Sequence, residues 1–204
     1  GELILTLEDL HKSHWSKSLF NKEETRVLNG ISFSVKRGDS LGIIGESGSG
    51  KSTIAKLVLK LWKASSGEIK LDGVPLDQLK DAASKIQMVF QDPYSSLNPK
   101  HTVGKAIEAV RKLQGDTVAK ESAIKLLQDV GLTPEDYTKY PHEFSGGQRQ
   151  RIGIAKALAR EPEILVLDEA VSALDVSVQA KILNLLIELK RKKNLTYLFI
   201  SHDM

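Results

Sequence analysis

The segment Ser40–Thr53 reads SLGIIGESGSGKST, a short apolar run followed by a glycine-rich loop. The run SLGIIG is typical of a short buried strand, and the run STIAKLVLKLW that begins at Ser52 has the apolar spacing of a helix. Between them, GESGSGKS matches the phosphate-binding pattern G-x-x-x-x-G-K-[ST] in full. A strand, a glycine loop and a helix in this order predict a nucleotide-binding α/β domain.

The chemistry of this loop is that of a phosphate cradle. Its glycines let the backbone curl so that successive N–H groups point at one phosphate, and the start of the following helix adds its positive dipole end. Lys51 is placed to reach the β- and γ-phosphates, and the Ser52 hydroxyl to bind Mg²⁺. The predicted phosphate site consists of Gly45, Glu46, Ser47, Gly48, Ser49, Gly50, Lys51, Ser52 and Thr53.

Composition limits the classes of protein to which the chain can belong. Its 204 residues, of which 41% are hydrophobic and 27% charged, suit one domain with a real core. The net charge of +3 is too small to indicate a nucleic-acid partner, and the run KRKK at 190–193 is interpreted as a solvated helix end. The chain has no cysteine, which excludes disulfides, zinc thiolate sites and iron–sulfur ligation within it.

No stretch of the sequence predicts a membrane span or a secretory leader. The longest apolar runs, such as ILVL at 164–167, are far too short to cross a bilayer. The N-terminal GELILTLEDL lacks a basic region followed by a long apolar stretch. We therefore expect a soluble chain, so that any membrane role comes through a partner.

Strand and helix patterns alternate along the chain. Besides the strand before the glycine loop, β-branched and apolar runs predict strands at 3–7, 31–35, 85–90, 163–168 and 196–200. The polar stretch 11–26 is predicted to be a loop, and Asp72-Gly73 a turn. Helical patterns follow from 92 to 160, broken by predicted loops at 92–99 and 132–141. Together they predict a parallel α/β core with an early antiparallel sheet and a helical insert.

Polar side chains follow several of the predicted core strands. Asp168 and Glu169 end one strand, at the sheet edge where open α/β sheets bind their ligands. Asp168 is a candidate Mg²⁺ ligand, and Glu169 a candidate to polarise the attacking water or take its proton. Gln91 and His202 follow two other strands. Singly each has an ordinary structural role, but together with Lys51 they predict one site at the carboxyl edge of the sheet.

The sequence FSGGQRQR at 144–151 is a second helix start suited to an anion. Ser145 and Gln148 have the spacing of a capping box, and the adjacent Gly146 and Gly147 allow close approach to the backbone. Asp175, in the loop SALD, is either the N-cap of the next helix or a further site residue. A chain with one nucleotide site has no evident use for the second anion site.

Six segments in order and register resemble the ATPase domains of ABC transporters: GESGSGKST, FQDP, FSGGQRQR, ILVLDEA, SALD and SHD. The resemblance covers nearly the whole chain and looks strongest to the bacterial oligopeptide, dipeptide and nickel importer ATPases. The fold it implies is a RecA-like P-loop NTPase. Residues 1–91 and 161–204 would form an antiparallel β subdomain and the parallel-sheet core, and 92–160 an inserted helical signature subdomain.

The resemblance implies a role for each motif. Residues 45–53 would be the Walker A loop, and Asp168 and Glu169 the Walker B aspartate and the catalytic glutamate. Gln91 would be the Q-loop glutamine, which senses Mg²⁺ and contacts the membrane subunits, and His202 the switch histidine on the γ-phosphate. The catalytic set is then Glu169, His202, Lys51 and Gln91, and the Mg²⁺ ligands are Ser52, Gln91 and Asp168.

Two further assignments follow from the resemblance. Members of the family stack adenine on an aromatic residue upstream of Walker A. The matching position is His14, with Trp15 or Phe20 as alternatives. Phe144 stands where leucine is more usual, which keeps an apolar anchor ahead of the signature motif.

The resemblance also implies partners. Two ATPase subunits, identical or different, would face each other head to tail. Ser145, Gly146, Gly147, Gln148 and Asp175 would then act in trans on the ATP of the second subunit. Two membrane-spanning permease subunits and an extracytoplasmic solute-binding protein complete the expected assembly, at the cytoplasmic face of the membrane and without nucleic acid. ATP hydrolysis would drive import of oligopeptides or dipeptides.

Other functions stay open at this point. The same motor can serve nickel or another small solute. A soluble ABC ATPase of DNA repair or translation tends to carry coiled-coil insertions or tandem halves, which 204 residues cannot hold. A small GTPase or kinase has no use for FSGGQ, SALD and SHD together, and Glu169 argues against a module that only clamps ATP. The chain stops two residues past His202, where relatives usually continue, so we expect a C-terminal truncation.

Overall fold

The computed structural model describes residues 2–17, 22–45, 51–61, 63–89, 97–168 and 174–202. Within these ranges the backbone alone is described at 14–17, 22–27, 44–45, 51–53 and 201–202. The strands are β1 Leu3–Lys17, β2 Lys22–Lys36, β3 Ser40–Gly45, β4 Ser66–Leu71, β5 Val74–Pro75, β6 Ile86–Val89, β7 Ile164–Asp168 and β8 Thr196–His202. The helices are α1 Lys51–Val58, α2 Ala82–Lys85, α3 Val103–Leu113, α4 Ala119–Asp129, α5 Gly146–Leu158 and α6 Val176–Lys193.

The strands form two sheets of different kinds. The first is antiparallel with strand order β2-β1-β4-β5, and the second has the order β3-β8-β7-β6 with each pair parallel. Asp72 and Gly73 join β4 to β5 with φ of 51° and 78°, the positive values that a two-residue hairpin turn requires. The predicted turn and the combination of an early antiparallel sheet with a parallel core are both confirmed.

Apolar side chains pack on both faces of the parallel sheet. Along β7, Leu165 and Leu167 belong to a cluster with helices α3 to α6, whereas Ile164 and Val166 belong to a cluster with α1 and the antiparallel sheet. Successive side chains of a strand face opposite sides, so a strand covered on both sides is apolar throughout. This is why ILVL is a continuous apolar run.

The prediction of a loop at 11–26 was wrong at 11–17 and 22–26, which belong to strands; 18–21 lie outside the described residues. β1 continues to Lys17 and β2 begins at Lys22, with Trp15 opposite Glu24 and Lys17 opposite Lys22. A β-ladder pairs backbone N–H and C=O groups whatever the side chains are. A polar ribbon therefore extends the hairpin beyond the apolar core, where a search for apolar runs does not detect it.

Helix α1 is shorter than predicted. It ends at Val58 rather than Trp62, because Lys60 adopts a left-handed φ of 62°. Lys60 N donates to Leu57 O at 3.1 Å and Leu61 N to Lys56 O at 2.8 Å, the hydrogen bonds of a Schellman cap. The predicted loop at 132–141 likewise contains two short 3₁₀ helices, Pro134–Thr138 and Pro141–Glu143.

The basic run at 190–193 ends α6 with Arg191 and Lys192 exposed, as predicted, and three of its four cations also have specific partners. Lys190 Nζ donates to Ser40 Oγ at 3.1 Å, and Lys192 and Lys193 both bind the carboxylate of Asp129. The cations therefore bind partners on β3 and α4, in addition to their favourable place at the helix C-terminus. Within the described ranges, no helix is long and apolar enough to cross a bilayer.

Candidate functional site

The register of the parallel sheet brings the phosphate-loop motifs to one edge. Gly45, the last residue of β3, lies opposite His202 of β8. Asp168, the last residue of β7, lies opposite Ile200, two residues before His202. The sheet therefore places Gly45, at the start of the glycine loop, and the predicted site residues Asp168 and His202 on adjacent strands, as the sequence predicts.

Other predicted site residues lie outside the described residues or lack a described side chain. Glu46, Ser47, Gly48, Ser49, Gly50, Gln91 and Glu169 belong to the first group, with the alternative adenine residue Phe20. For His14, Trp15, Lys51, Ser52, Thr53 and His202 the backbone alone is described. His14 and Trp15 lie on β1, and Lys51 is the first residue of α1. Val89, two residues before Gln91, pairs with Leu167.

Asp168 is the predicted Mg²⁺ ligand whose side chain is described. It follows four buried residues of β7 and is itself partly exposed, at the point where the strand reaches the sheet edge. Among the described side chains, no three acidic residues or histidines are grouped closely enough to hold a metal ion. The other two predicted Mg²⁺ ligands, Ser52 and Gln91, have no described side chain.

The second predicted anion site is a capped helix start. Ser145 is the N-cap of α5, and its Oγ accepts from Gln148 N at 3.2 Å while Gln148 Oε1 accepts from Ser145 N at 2.9 Å. This is the predicted capping box. Phe144 is buried in the helical core, and its carbonyl accepts from Arg149 NH1 at 2.7 Å. The first turn is thus held rigidly while Ser145, Gly146 and Gln148 remain exposed.

The starts of α5 and α6 are direct neighbours. A Cβ built on Gly147 would lie 2.6 Å from Val178 Cγ1, and one on Gly146 would lie 3.5 Å from Leu174 Cδ2. Asp175 occupies the N-cap position of α6, but its side chain makes no capping hydrogen bond. Gln179 Nε2 instead donates to Leu174 O at 2.9 Å. The fold brings Leu174 and Val178 against the first turn of α5, a proximity that no spacing in the sequence predicts.

A family comparison agrees with this arrangement. The family described as ABC transporter matches residues 28–172, which include every motif but SALD and SHD. The chain belongs to the ABC transporter family. The predicted fold class, an ABC-type P-loop NTPase core with an antiparallel β subdomain and a helical insert, is confirmed.

Curated relatives of the chain are named as transport or import ATP-binding proteins. It is 46% identical over 215 residues to the oligopeptide transport ATP-binding protein AppF of Bacillus subtilis, covering 100% of this chain and 65% of that protein. It is 48% identical over 216 residues to the glutathione import ATP-binding protein GsiA of Salmonella typhi, covering 100% of this chain and 34% of that one. The chain thus spans about two thirds of the first relative and one third of the second.

Solved ABC structures share the fold. cbiO1 of Clostridium perfringens, part of the ABC transporter complex cbiONQ, superposes with a TM-score of 0.83 at 28% identity over 100% of this chain and 80% of that chain. The ATP-binding cassette MJ0796, a dimer in a post-hydrolysis state bound to ADP and Pi, superposes with a TM-score of 0.80 at 29% identity. The match covers 98% of this chain and 88% of that chain.

A buried polar contact joins α3 to the 3₁₀ turn ahead of α5. Tyr137, in the 3₁₀ turn ahead of Phe144, donates a hydrogen bond to Glu108 Oε2 of α3. That bond, with Lys105 and Lys112 nearby, holds the pKa of Glu108 below its usual value despite burial. Burial and the Glu108 carboxylate raise the pKa of Tyr137. The pair fastens the segment before the signature motif to α3, and sequence reasoning missed it because the partners are 29 residues apart.

Proposed function

We propose that the chain is the ATP-binding and ATP-hydrolysing subunit of a bacterial ABC importer for oligopeptides or dipeptides. The observation that carries this proposal is the register of β3, β8 and β7, which sets Gly45, His202 and Asp168 at one sheet edge beside the start of α1. The names of the similar proteins, which include an oligopeptide transport subunit, support peptide as the solute class.

The residues at this edge fit MgATP. Residues 45–53 would wrap the phosphates, with Lys51 on the β- and γ-phosphates. Ser52, Gln91 and Asp168 offer hydroxyl, amide and carboxylate oxygens, the hard donors that Mg²⁺ prefers. The cation would neutralise charge on the phosphates. Glu169 would take a proton from the attacking water, and His202 would hold the γ-phosphate.

The adenine contact is assigned to the N-terminal hairpin. His14 is the proposed stacking residue, and Trp15 is its neighbour on β1; Phe20 is the third candidate. Separate alanine variants with a fluorescent ATP analogue would identify the stacking residue, since only its loss weakens binding of the base while leaving pyrophosphate affinity intact.

The second anion site is proposed to act in trans. The exposed first turn of α5 would meet the γ-phosphate held by a second, identical or different ATPase subunit, and Asp175 would lie on the same surface. The hydroxyl of Ser145, the two glycines and the helix dipole all suit a phosphate. The dimeric state of MJ0796 supports such pairing.

Transport itself is proposed to depend on other chains. Two permease subunits would carry the solute and a solute-binding protein would deliver it, with this subunit at the cytoplasmic face of the membrane. Residues 92–160 would form the helical signature subdomain, and 1–91 with 161–204 the β subdomain and nucleotide core.

A mixing experiment tests the ATPase and its trans arrangement together. Lys51→Ala should abolish tight MgATP binding in a chain that circular dichroism shows to be folded. Ser145→Arg should keep ATP affinity but lose turnover, because a bulky cation blocks the partner's phosphate. In a mixed dimer one composite site is intact, so turnover should return on mixing. A folded Ser145→Arg chain that has lost ATP affinity would show that the motif acts in cis. A wild-type dimer without ATP turnover would contradict the proposed ATPase activity.

A further inference from the structure

We infer that Val178 of α6 is a positioning residue for the signature helix, and that position 147 needs glycine because of Val178 rather than because of the phosphate. The inference rests on the proposed function, since it assigns a task within the composite ATP site. The inference gives Gly146 and Gly147 different roles, whereas the sequence alone predicts the same role for both.

The geometry distinguishes Gly147 from Gly146. A Cβ at 147 would lie 2.6 Å from Val178 Cγ1, whereas an ordinary contact begins at 3.4 Å. Valine in a helix has one strongly preferred χ1 rotamer, so this methyl group cannot easily turn away. A Cβ at 146 would lie 3.5 Å from Leu174 Cδ2, which is an ordinary contact. Packing within this subunit therefore requires glycine at position 147 but not at position 146.

This contact sets the spacing of two helix N-termini. Gly147 is in the first turn of α5, below the Ser145 cap, and Val178 is in the first turn of α6, below Asp175. The bond from Gln179 Nε2 to Leu174 O holds the α6 side of the contact. The first N–H groups of a helix have no partner within their own helix and point outward from its start. Val178 thus makes the two starts one rigid surface toward the partner's nucleotide.

A double-mutant cycle on thermal stability tests the contact without any ATPase assay. Gly147→Ala should lower Tm by about 3 °C or more, because the two helix starts must separate. In the Val178→Ala background the same change should leave Tm unchanged or raise it, because alanine favours a helix more than glycine does. Equal effects in both backgrounds would show that the contact does not constrain position 147 and would overturn the inference.

Turnover measures the positioning role. Gly147→Ala should leave ATP affinity unchanged and lower kcat on the order of 100-fold, the expected effect of a displacement of roughly 1 Å. Adding Val178→Ala should restore most of this kcat. Gly146→Ala is the matched control. If Gly146→Ala lowers turnover, adding Val178→Ala to it should not restore that turnover.

The outcomes separate the inference from the proposed function. If kcat of the Gly147→Ala chain stays low in the Val178→Ala background although Tm recovers, the glycine serves the phosphate and the inference is wrong. If the wild-type dimer has no ATP turnover at all, the proposed function fails, and the Tm cycle still decides whether Val178 is the reason for Gly147.

Discussion

Lys192 Nζ at the end of α6 lies 2.8 Å from Asp129 Oδ1 at the end of α4, and Lys193 Nζ lies 3.0 Å from Oδ2 of the same carboxylate. The Asp129 side chain is only 6% exposed. Burial acts to raise its pKa, but the hydrogen bonds and charges of the two lysines outweigh burial and hold the pKa below its usual value. The pair joins the helical insert to a helix of the nucleotide core.

We expect Asp129→Asn to lower the free energy of unfolding by about 1 kcal/mol at neutral pH, because a nearly buried carboxylate loses two charged partners while the lysines stay partly hydrated. Chemical denaturation measures the change. Replacing both lysines with glutamine is the matched control: it should cost a similar amount, and the triple variant should lose little more, since all three side chains serve one interaction.

The contacts of Asp129 with Lys192 and Lys193 also predict that the stability of the protein depends on pH. Because the folded pKa of Asp129 is lowered, its contribution is complete above the unfolded value of about 4 and is lost as pH falls through the folded pKa. The stability difference between wild type and Asp129→Asn should therefore shrink as pH is lowered below about 4. A difference that stays constant from neutral pH to well below that value would contradict the assignment.

Gly104→Ala should be strongly destabilising. A Cβ there would lie 2.1 Å from Tyr137 Cδ2 and 2.5 Å from the Tyr137 carbonyl oxygen, so both ring and backbone must move. We expect a loss of about 3 kcal/mol in the free energy of unfolding. Gly42→Ala is the control, because no atom of the described side chains and backbone lies within 4 Å of a Cβ at that position. Similar effects of the two changes in denaturant melts would show that Tyr137 is not packed on Gly104.

Ser145→Ala tests the capping box before any partner is present. The change removes the hydroxyl that accepts from Gln148 N, and we expect a loss of about 1 kcal/mol in the free energy of unfolding. Ser145→Thr keeps the acceptor and should lose less. Thermal melts of the nucleotide-free protein measure both, and an alanine variant as stable as wild type would mean that the cap contributes nothing to folding.

Glu169→Gln should bind ATP with normal affinity and turn it over very slowly, because a carboxamide cannot accept the proton of the attacking water. Single-turnover hydrolysis measures the chemical step directly. Asp168→Asn is the informative comparison, since it should weaken the Mg²⁺ dependence of binding instead. Near-normal single-turnover hydrolysis by Glu169→Gln would assign proton acceptance to another group.

The parallel core was predictable because its strands are short apolar runs, each followed at once or within two residues by a predicted site residue. ILVL before Asp168 and SLGIIG before the glycine loop are visible by local pattern alone. The paired strand segments 11–17 and 22–26 were not predictable, because their ladder consists of backbone hydrogen bonds between mostly polar residues. The early end of α1 was missed for a similar reason, since the left-handed residue is a lysine and not a glycine.

Local sequence was sufficient for the Ser145 cap, because its two hydrogen bonds join residues three positions apart. The phosphate loop and the Asp168–Glu169 carboxylates, which local sequence also indicates, stay predictions. Local sequence did not reveal why Gly147 differs from Gly146, what Lys192 and Lys193 bind, or what holds Tyr137. Those depend on contacts between residues far apart in sequence: Tyr137 and Glu108 are 29 positions apart, and Lys192 and Asp129 are 63 positions apart. Such contacts exist only after the chain has folded, when the packing of α3 to α6 fixes which side chains meet.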